Sequence, residues 1–288
     1  MKYAIMKDYL GSYSKSLMAR TMGVSRSGFN KWLIRPESKR AQRKVDCIRR
    51  VKETFREFEA AYGAPRITEE LNALGFPCSE NYIAKIMKEQ GIRARNGKGF
   101  KYSSHSLTMN NVSENLLWRN FHANKPNEKW TSDITYIWVE NKWWYLATVM
   151  DLYSRKIIGW SLGESMTVEL IEDALTTAFD RRKVAPGLIV HSDRGVQYRS
   201  QQYVDCLTRN GCRISMSRKG NCWDNAPMES FYSRLKVELI YAKNYQSIDE
   251  ARSGIFSYIE IFYNRKRRHS ANDGISPVAF EEKAALAA

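Results

Sequence analysis

Three carboxylates in the C-terminal half of the sequence lie where a carboxylate needs a partner or a cation. Asp133 interrupts a predicted strand of apolar residues, where an unpaired charge is costly. Asp193 follows the run LIVHS, at the carboxyl end of a predicted strand, which is where open α/β sheets place their ligands. Glu229 lies one turn into a predicted helix that begins at Asn225 and has Pro227 near its start. Each acid also fits an ordinary role: a strand-edge pair, a turn cap and a solvated helix face.

The chemistry open to three such carboxylates is metal-assisted phosphoryl transfer. Hard divalent cations such as Mg²⁺ prefer oxygen ligands. Two ions about 3.5–4 Å apart can activate a nucleophile and stabilise a leaving oxygen. The sequence therefore predicts that Asp133, Asp193 and Glu229 are catalytic and hold two Mg²⁺ (or Mn²⁺) ions, provided that the fold brings them together.

The elements around these acids indicate an α/β domain. Runs rich in aromatic and β-branched residues, separated by short polar turns, predict an antiparallel meander. Alternating strands and helices follow, which favours a mixed five-stranded sheet with helices on its faces. The predicted strands cover residues 130–139, 143–151, 156–162, 188–192 and 213–216, and the predicted helices cover residues 167–182 and 200–210.

The charge of the 288-residue chain is concentrated in its N-terminal part. The chain has 46 Lys and Arg against 31 Asp and Glu, a net charge of +15. Residues 1–124 hold 23 basic and 11 acidic residues, and the remainder is nearly balanced. Clustered Lys and Arg gain affinity for phosphates by releasing counterions, so this region is predicted to bind a polyanion. A solvated basic surface is the alternative.

Several classes of protein are excluded or disfavoured by the composition. No run of about eighteen apolar residues occurs, which excludes a membrane span. The amino terminus lacks the apolar stretch of a secretion signal, so a cytoplasmic location is expected. The five cysteines show no paired C-x-x-C spacing, so neither a zinc ribbon nor a disulfide scaffold is indicated.

The first 38 residues contain a candidate helix–turn–helix. Residues 14–33 predict a helix that ends at Gly23 and a second helix capped by Ser25. Such a second helix suits a DNA major groove, although a helical hairpin with a polar face is the alternative. The outward-facing candidates for DNA contact are Arg26, Ser27, Asn30 and Lys31.

A second helix–turn–helix candidate follows a basic amphipathic helix over residues 39–59. Residues 62–88 predict two helices separated at Gly75, the second capped by Ser79. Four polar residues of this segment are candidates for phosphate or base contacts, with a solvated face as the alternative. These candidates are Arg66, Asn81, Lys85 and Lys88.

The fold class predicted from these patterns is multidomain, with an α-helical DNA-binding region followed by an α/β core. Residues 96–115 lose all periodicity and are rich in Gly, Ser and Asn, which indicates a linker. The predicted units are a helix–turn–helix over residues 1–38, a second one with its connecting helix over 39–95, a linker over 96–124, the catalytic core over 125–240 and a helical, basic tail over 241–288.

The local strings around the carboxylates resemble one known family. Asp193 and Glu229 are separated by 35 residues, the spacing of the D,D(35)E group. The strings WTSDITYI, VMDLYSRKIIGWSL, HSDRGVQY and RKGNCWDNAPMESFYSRLKVEL, with the C-terminal YNRKRRHSANDGISPVAFE, are similar to OrfB-type transposases of bacterial insertion sequences. These belong to the retroviral-integrase superfamily, and the resemblance covers the whole chain.

The resemblance implies an RNase H-like core and two-metal cleavage and joining of DNA strands. It also implies a copy-out, paste-in route through a circular intermediate. The implied partners are double-stranded DNA, as element ends and target, and further copies of the chain in a homodimer or larger oligomer. Members of the family commonly act as a frameshifted fusion with an upstream leucine zipper, and no sustained heptad is visible here.

Further DNA contacts are expected near the carboxylates. Lys236 lies seven residues after Glu229, on the same helix face, where the family places a DNA-contacting Lys or Arg. The remaining candidates lie in two loops, where ordinary turn chemistry is the alternative. They are Lys219, Asn221 and Asn225 before the helix of Glu229, and Arg194, Gln197 and Tyr198 after Asp193.

Other polar residues are predicted to be structural. His191 is predicted to be packed and hydrogen-bonded, with tuning of the site as the alternative. Glu238, Asp224 and the charged run at residues 265–269 are predicted to be solvated, with a helix cap as the alternative for Asp224 and phosphate binding as the alternative for the run.

Two rival functions use the same residues differently. A metal-dependent nuclease of the same fold would need the same three acids but would hydrolyse DNA without joining it. A non-catalytic DNA-binding regulator would need none of them. The tandem helix–turn–helix candidates favour a transposase over the nuclease, and the intact acidic triad disfavours the regulator.

Overall fold

The structure, a computed structural model, describes residues 2–36, 38–95, 112–218 and 221–287. Its first unit is a bundle of three short helices, α1 (Lys2–Asp8), α2 (Lys15–Met22) and α3 (Arg26–Leu33). Gly23 ends α2 with a φ of +62°, a left-handed conformation that glycine adopts without strain. The Ser25 hydroxyl caps α3. The predicted helix pair, its turn and this cap are therefore confirmed.

The second helical unit has its own apolar core. It consists of α4 (Lys39–Glu57), α5 (Ala64–Ala73) and α6 (Glu80–Glu89). α6 begins at the predicted Ser79 cap, whose hydroxyl accepts a hydrogen bond from the third residue beyond it. The residues that the three helices bury together include Val51, Ile67, Leu71, Ile83 and Ile86.

The predicted mixed five-stranded sheet is confirmed. The strands are β1 (Lys129–Val139), β2 (Lys142–Asp151), β3 (Ile157–Gly163), β4 (Ile189–Ser192) and β5 (Arg213–Met216). Their order across the sheet is β3-β2-β1-β4-β5. The first three strands form the antiparallel meander, and β4 and β5 join it in parallel.

Each face of the sheet is covered by helices. α7 (Val168–Arg181) and α8 (Gln201–Arg209) pack on one face, against side chains that include Trp130 and Val149. α9 (Ala226–Glu238) and α10 (Ile248–Phe256) pack on the other. A π-helical segment (Ser257–Tyr263) continues α10, and α11 (Pro277–Ala287) ends the described chain. No helix in the described ranges is long and apolar enough to cross a membrane.

The end of the predicted linker packs on the α/β domain. Leu117 is 2% exposed and belongs to the core beneath α9. The Leu116 amide donates to the Ser215 hydroxyl at 2.8 Å, and the Met216 amide donates to the Glu114 carbonyl at 3.2 Å. Residues 114–117 therefore pack on the α/β domain, whereas residues 96–111 of the predicted linker lie outside the described chain.

A buried ion pair joins α9 to the C-terminal region. Glu238 and Arg267 are 5% and 3% exposed, and two guanidinium N–H groups donate to the carboxylate at 2.8 and 2.9 Å. The Tyr258 hydroxyl donates to the same carboxylate at 2.8 Å. The prediction that these residues are solvated is wrong for Glu238 and Arg267, because the fold pairs them with each other across 29 residues, whereas Arg265 and Lys266 of the charged run are exposed.

The same region contacts the second helical unit. Arg268 donates to the Glu70 carboxylate at 2.6 and 3.0 Å, and its amide donates to the Tyr62 hydroxyl. Arg95 donates to the carbonyl of Glu238 at 2.8 Å. The second helical unit is thus held against the end of α9 by ion pairs and hydrogen bonds.

We expect Arg267→Ala to lower the free energy of unfolding by about 3–5 kcal/mol, because it removes the two charged hydrogen bonds of the buried Glu238 carboxylate and leaves it only Tyr258 and the more distant Arg66. Urea unfolding of the full chain measures this change. Lys142→Ala, which removes the exposed pair with Glu164, is the control and should cost about 1 kcal/mol or less. A loss for Arg267→Ala as small as that of the control would contradict the interpretation.

Candidate active site

Parallel pairing brings two of the three predicted carboxylates level with each other. Thr131 on β1 is in register with His191 on β4. Asp133 and Asp193 each lie two residues further along, and neighbouring strands are about 4.8 Å apart. β4 ends at Ser192, so Asp193 is the first residue beyond the strand. The two acids therefore stand side by side where β4 ends.

Helix α9 is hydrogen-bonded to this part of β1 at two points on either side of Glu229. Before it, Asn225 Oδ1 accepts a hydrogen bond from the Thr131 hydroxyl at 2.5 Å. After it, the Tyr232 hydroxyl donates to the Asp133 carbonyl at 2.5 Å. Glu229, in the first turn of α9, is consequently held on the face of β1 to which Asp133 points.

The three carboxylates interact electrostatically. Burial raises the pKa of Asp133 well above its ordinary value, and the charges of Asp193 and Glu229 raise it further. Burial also raises the pKa of Asp193 and of Glu229. Backbone amides oppose these shifts, since Ile134 donates to Asp133 and Gly195 donates to Asp193, each at 2.8 Å. The site therefore concentrates negative charge in a place with little water.

The donor atoms at this site fit a hard divalent cation. All three side chains offer carboxylate oxygens, and a cation between them would offset the repulsion that raises the pKa of Asp133. In the described part of the chain, no three His, Cys, Asp or Glu side chains are already arranged to hold a metal ion together. The backbone therefore places the three acids close enough for their charges to interact. Their side chains are not arranged as a complete set of metal ligands.

Lys236 lies on the same helix and borders the carboxylates. Its side chain is 6% exposed, and its Nζ lies 4.4 Å from the centre of the Tyr136 ring. Burial lowers the pKa of Lys236 to about 8, while the charge of Asp133 acts in the opposite direction. Glu229 and Lys236, seven residues apart, therefore both face this part of β1.

A buried aspartate that sequence reasoning assigned to solvent organises the loop before α9. Asp224 is 1% exposed and accepts hydrogen bonds from Arg218, Arg119 and Asn115. These hydrogen bonds, chiefly those from Arg218, hold its pKa below the ordinary value. The predicted solvated position is wrong. The only local signal was the placement of Asp224 beside the helix start, and its partners lie up to 109 residues away.

The loop after Asp193 makes internal contacts. Arg194 Nε donates to the Ser217 carbonyl at 2.6 Å, and Gln197 donates to the Met166 carbonyl at 2.8 Å. Tyr198 is 1% exposed, and its hydroxyl lies 3.1 Å from that of Ser132. Tyr198 is therefore a core residue. Its prediction as a DNA contact is wrong, because its aromatic ring packs against one face of the sheet.

The described residues of the loop before α9 that were predicted to contact DNA also make contacts within the protein. Asn221 accepts a hydrogen bond from Arg119 at 2.8 Å. Asn225 is 5% exposed and faces Thr131, so it neither caps α9 with its side chain nor lies on an open DNA-facing loop as predicted. Lys219 lies outside the described residues.

The helical candidates for DNA contact divide into two groups. Most lie on the surface, with Asn30 half-buried, and Arg26 donates to the Ser16 hydroxyl at 3.2 Å. Arg66 instead packs over the Tyr62 ring at 5.5 Å, with Nη1 3.9 Å from Glu238. Arg66 therefore lies in the interface between the second helical unit and α9. Its predicted position on an open surface is wrong. The exposed candidates are Arg26, Ser27, Lys31, Asn81, Lys85 and Lys88.

His191 is packed and hydrogen-bonded, as predicted. It is fully buried, with Nδ1 2.8 Å from the Ser215 hydroxyl and Nε2 3.1 Å from the Ser217 hydroxyl. Burial lowers its pKa to about 4, so the imidazole is neutral at neutral pH. It ties the end of β4 to the end of β5.

Comparison with protein families agrees with this architecture. Residues 123–222 and residues 229–284 match the integrase core domain, and residues 40–99 match the HTH-like domain. Together these matches define an integrase-type DDE enzyme with an additional domain of a DNA-binding type. The HTH-like and integrase domains imply that the chain binds DNA.

Individual relatives specify the family. The chain is 44% identical to the transposase InsF for insertion sequence IS3A of Escherichia coli K12, over 98% of this chain and 99% of InsF. It is 40% identical to the insertion element IS600 uncharacterized 31 kDa protein of Shigella sonnei, over 92% and 98% of the two chains. The chain therefore belongs to the insertion-sequence transposases of the InsF type.

Two solved structures with some similarity come from retroviruses. A simian T-cell lymphotropic virus intasome, in complex with the PP2A regulatory subunit B56 gamma, aligns at a TM-score of 0.47 and 16% identity, over 74% of this chain and 70% of that chain. The HTLV-2 integrase catalytic core domain in complex with magnesium aligns at 0.43 and 15% identity, over 55% and 98%. The family assignment comes from the sequence relatives.

We expect Asp133→Asn to raise the melting temperature at neutral pH without added divalent cation. The folded-state pKa of Asp133 lies above its ordinary value of 3.8, so deprotonation at neutral pH opposes folding. The stabilising effect should vanish below that ordinary value, where the folded and unfolded chains are both protonated. Thermal melting from acid to neutral pH measures it.

Asp180→Asn, at an exposed position on α7, is the matched control and should leave the melting temperature unchanged. If Asp133→Asn melted below the wild type at neutral pH, the carboxylate would be stabilised by its surroundings and the interpretation would be wrong.

Proposed function

We propose that this transposase cleaves and joins DNA strands by two-metal-ion catalysis at Asp133, Asp193 and Glu229. The observation that supports the proposal most directly is the register of β1 and β4, which sets Asp133 beside Asp193, with Glu229 held above them by α9. Two Mg²⁺ (or Mn²⁺) ions bound there would activate the attacking oxygen and stabilise the leaving oxygen at a phosphodiester.

The carboxylates have different parts in this proposal. Asp133 on β1 and Asp193 just beyond the end of β4 would hold both cations. Glu229 is only partly buried and would hold one of them. The amides of Ile134 and Gly195 fix one oxygen of each aspartate, which leaves the other oxygens for the cations.

Lys236 is proposed to contact the phosphate backbone of the bound DNA end. A lysine beside three carboxylates is positioned to draw a phosphate toward them, and its lowered pKa reflects a dry site, where a charge contact is strong. The exposed residues of the two helical units, Lys31 and Lys85 among them, are proposed to bind the terminal repeats of the element.

The biological route that fits these activities is copy-out, paste-in transposition through a circular intermediate, in the cytoplasm at the nucleoid. One end of the element is nicked and joined near the other end, and the circle is later inserted into a target. Bringing two ends together requires more than one copy of the chain, so we propose a homodimer or larger oligomer on DNA.

We expect Asp133→Asn, Asp193→Asn and Glu229→Gln each to lower strand transfer at least about a thousandfold, because each removes a metal-ligand charge. The assay uses a pre-cut element end, a target duplex and Mg²⁺ or Mn²⁺. Asp180→Asn is the control and should keep full activity. Hydrolysed products without joined products would support the nuclease instead, and activity that survives Asp193→Asn would refute catalysis by these carboxylates.

A further inference from the structure

One face of the β1–β2 hairpin carries three large aromatic side chains that remain in contact with water. Tyr136, Trp138 and Trp143, here called the aromatic face, are 40%, 51% and 48% exposed. The Trp143 ring lies 5.0 Å from Tyr136 and 4.8 Å from Trp138, centre to centre, with its plane steeply inclined to both. Adjacent exposed rings on a sheet are an unfavourable surface unless something binds them.

The aromatic face lies on the opposite side of the sheet from Asp133, because side chains alternate along β1, and it meets the carboxylate site around the edge of that strand. Pairing of β1 with β4 ends at Thr131, so the next part of that edge of β1 borders α9. Lys236 bridges the two regions there, since its Nζ lies 4.4 Å from the centre of the Tyr136 ring and its charge acts on Asp133. A strand that leaves the carboxylates past Lys236 and passes around this edge of β1 therefore reaches Tyr136 first.

The chemistry of the aromatic face favours nucleobases. Exposed aromatic rings stack on unpaired bases with little sequence preference, and a neighbouring cation attracts the phosphates between them. Bases inside a duplex are already stacked on each other and cannot use such rings. A bound DNA strand offers unpaired bases wherever its end is frayed or displaced during strand cleavage.

We propose that the aromatic face stacks unpaired bases of the DNA strand that leaves the carboxylate site. The proposal rests on the proposed function, because it assigns the rings to that same DNA. At about 3.4 Å per residue, Tyr136 and Trp138 lie about 10 and 17 Å along β1 from Asp133. At about 3.4 Å per nucleotide, these lengths correspond to about three to five nucleotides from the reacting phosphate.

The test compares two DNA ligands on the full-length chain carrying Asp193→Asn, which prevents the reaction. One ligand is a blunt duplex of the element end, and the other is the same duplex with about five unpaired nucleotides at the pre-cut end, one of them 2-aminopurine. Binding is followed by fluorescence anisotropy, and base stacking by quenching of 2-aminopurine.

We expect Trp138→Ala and Trp143→Ala each to weaken binding of the unpaired ligand at least about fivefold, with less quenching and unchanged binding of the blunt duplex. Trp143→Phe keeps an aromatic ring and should retain most of the binding. Phe256→Ala, which removes an equally exposed ring on α10, is the matched control and should change neither. Thermal melting checks that every variant is folded.

Equal weakening on both ligands would overturn the proposal, because the rings would then act as a general DNA surface. Loss of self-association in sedimentation, without a selective loss on the unpaired ligand, would also overturn it and assign the face to contacts between copies. The same chain without Asp193→Asn is assayed for strand transfer. If strand transfer is absent but the selective effects on the unpaired ligand remain, the proposed function is refuted and the proposal for the aromatic face stands. If strand transfer occurs but the selective effects are absent, the proposal for the aromatic face is refuted and the proposed function stands.

Discussion

The repulsion between carboxylates on neighbouring parallel strands is the constraint on which the catalytic domain depends. The register of Thr131 with His191 brings Asp133 and Asp193 side by side, and burial removes the water that would screen them. Such an arrangement opposes folding of the chain by itself, because buried like charges are costly. It persists because a whole sheet fixes the two strands, and it is suited to a site whose ligands are cations.

The hydrogen bonds around the site hold the backbone and leave carboxylate oxygens available. Thr131 and the carbonyl of Asp133 bind α9, so the helix of Glu229 is aligned with β1 without using any of the three acidic side chains. Further hydrogen bonds and ion pairs hold the two ends of α9. Asp224 gathers Arg218, Arg119 and Asn115 before the helix, and Glu238 receives Arg267 at its end. The position of Glu229 is thus set by contacts at both ends of its helix.

These supports also connect the domains. The end of α9 contacts Arg95 of the second helical unit, and the segment that carries Arg267 continues into Arg268, which binds Glu70. The second helical unit matches an HTH-like domain, which implies DNA binding, and the α/β domain carries the three acids, so this interface joins the two domains. It also accounts for the position of Arg66, which packs beside Glu238 where an open phosphate contact was predicted.

The sequence by itself determined the five strands, the helices of the two helix–turn–helix segments and the caps at Ser25 and Ser79, because periodicity and capping are local properties of the chain. Strand ends and spacing also singled out Asp133, Asp193 and Glu229. Only the tertiary structure decided which polar groups are buried. Tyr198 became a core residue, and Asp224 and Glu238 became centres of ion pairs, because the fold adds partners from distant segments, Arg119 for Asp224 and Arg267 for Glu238. A charged residue looks the same in a sequence whether or not the fold brings it a partner, and burial and pairing depend on that long-range packing.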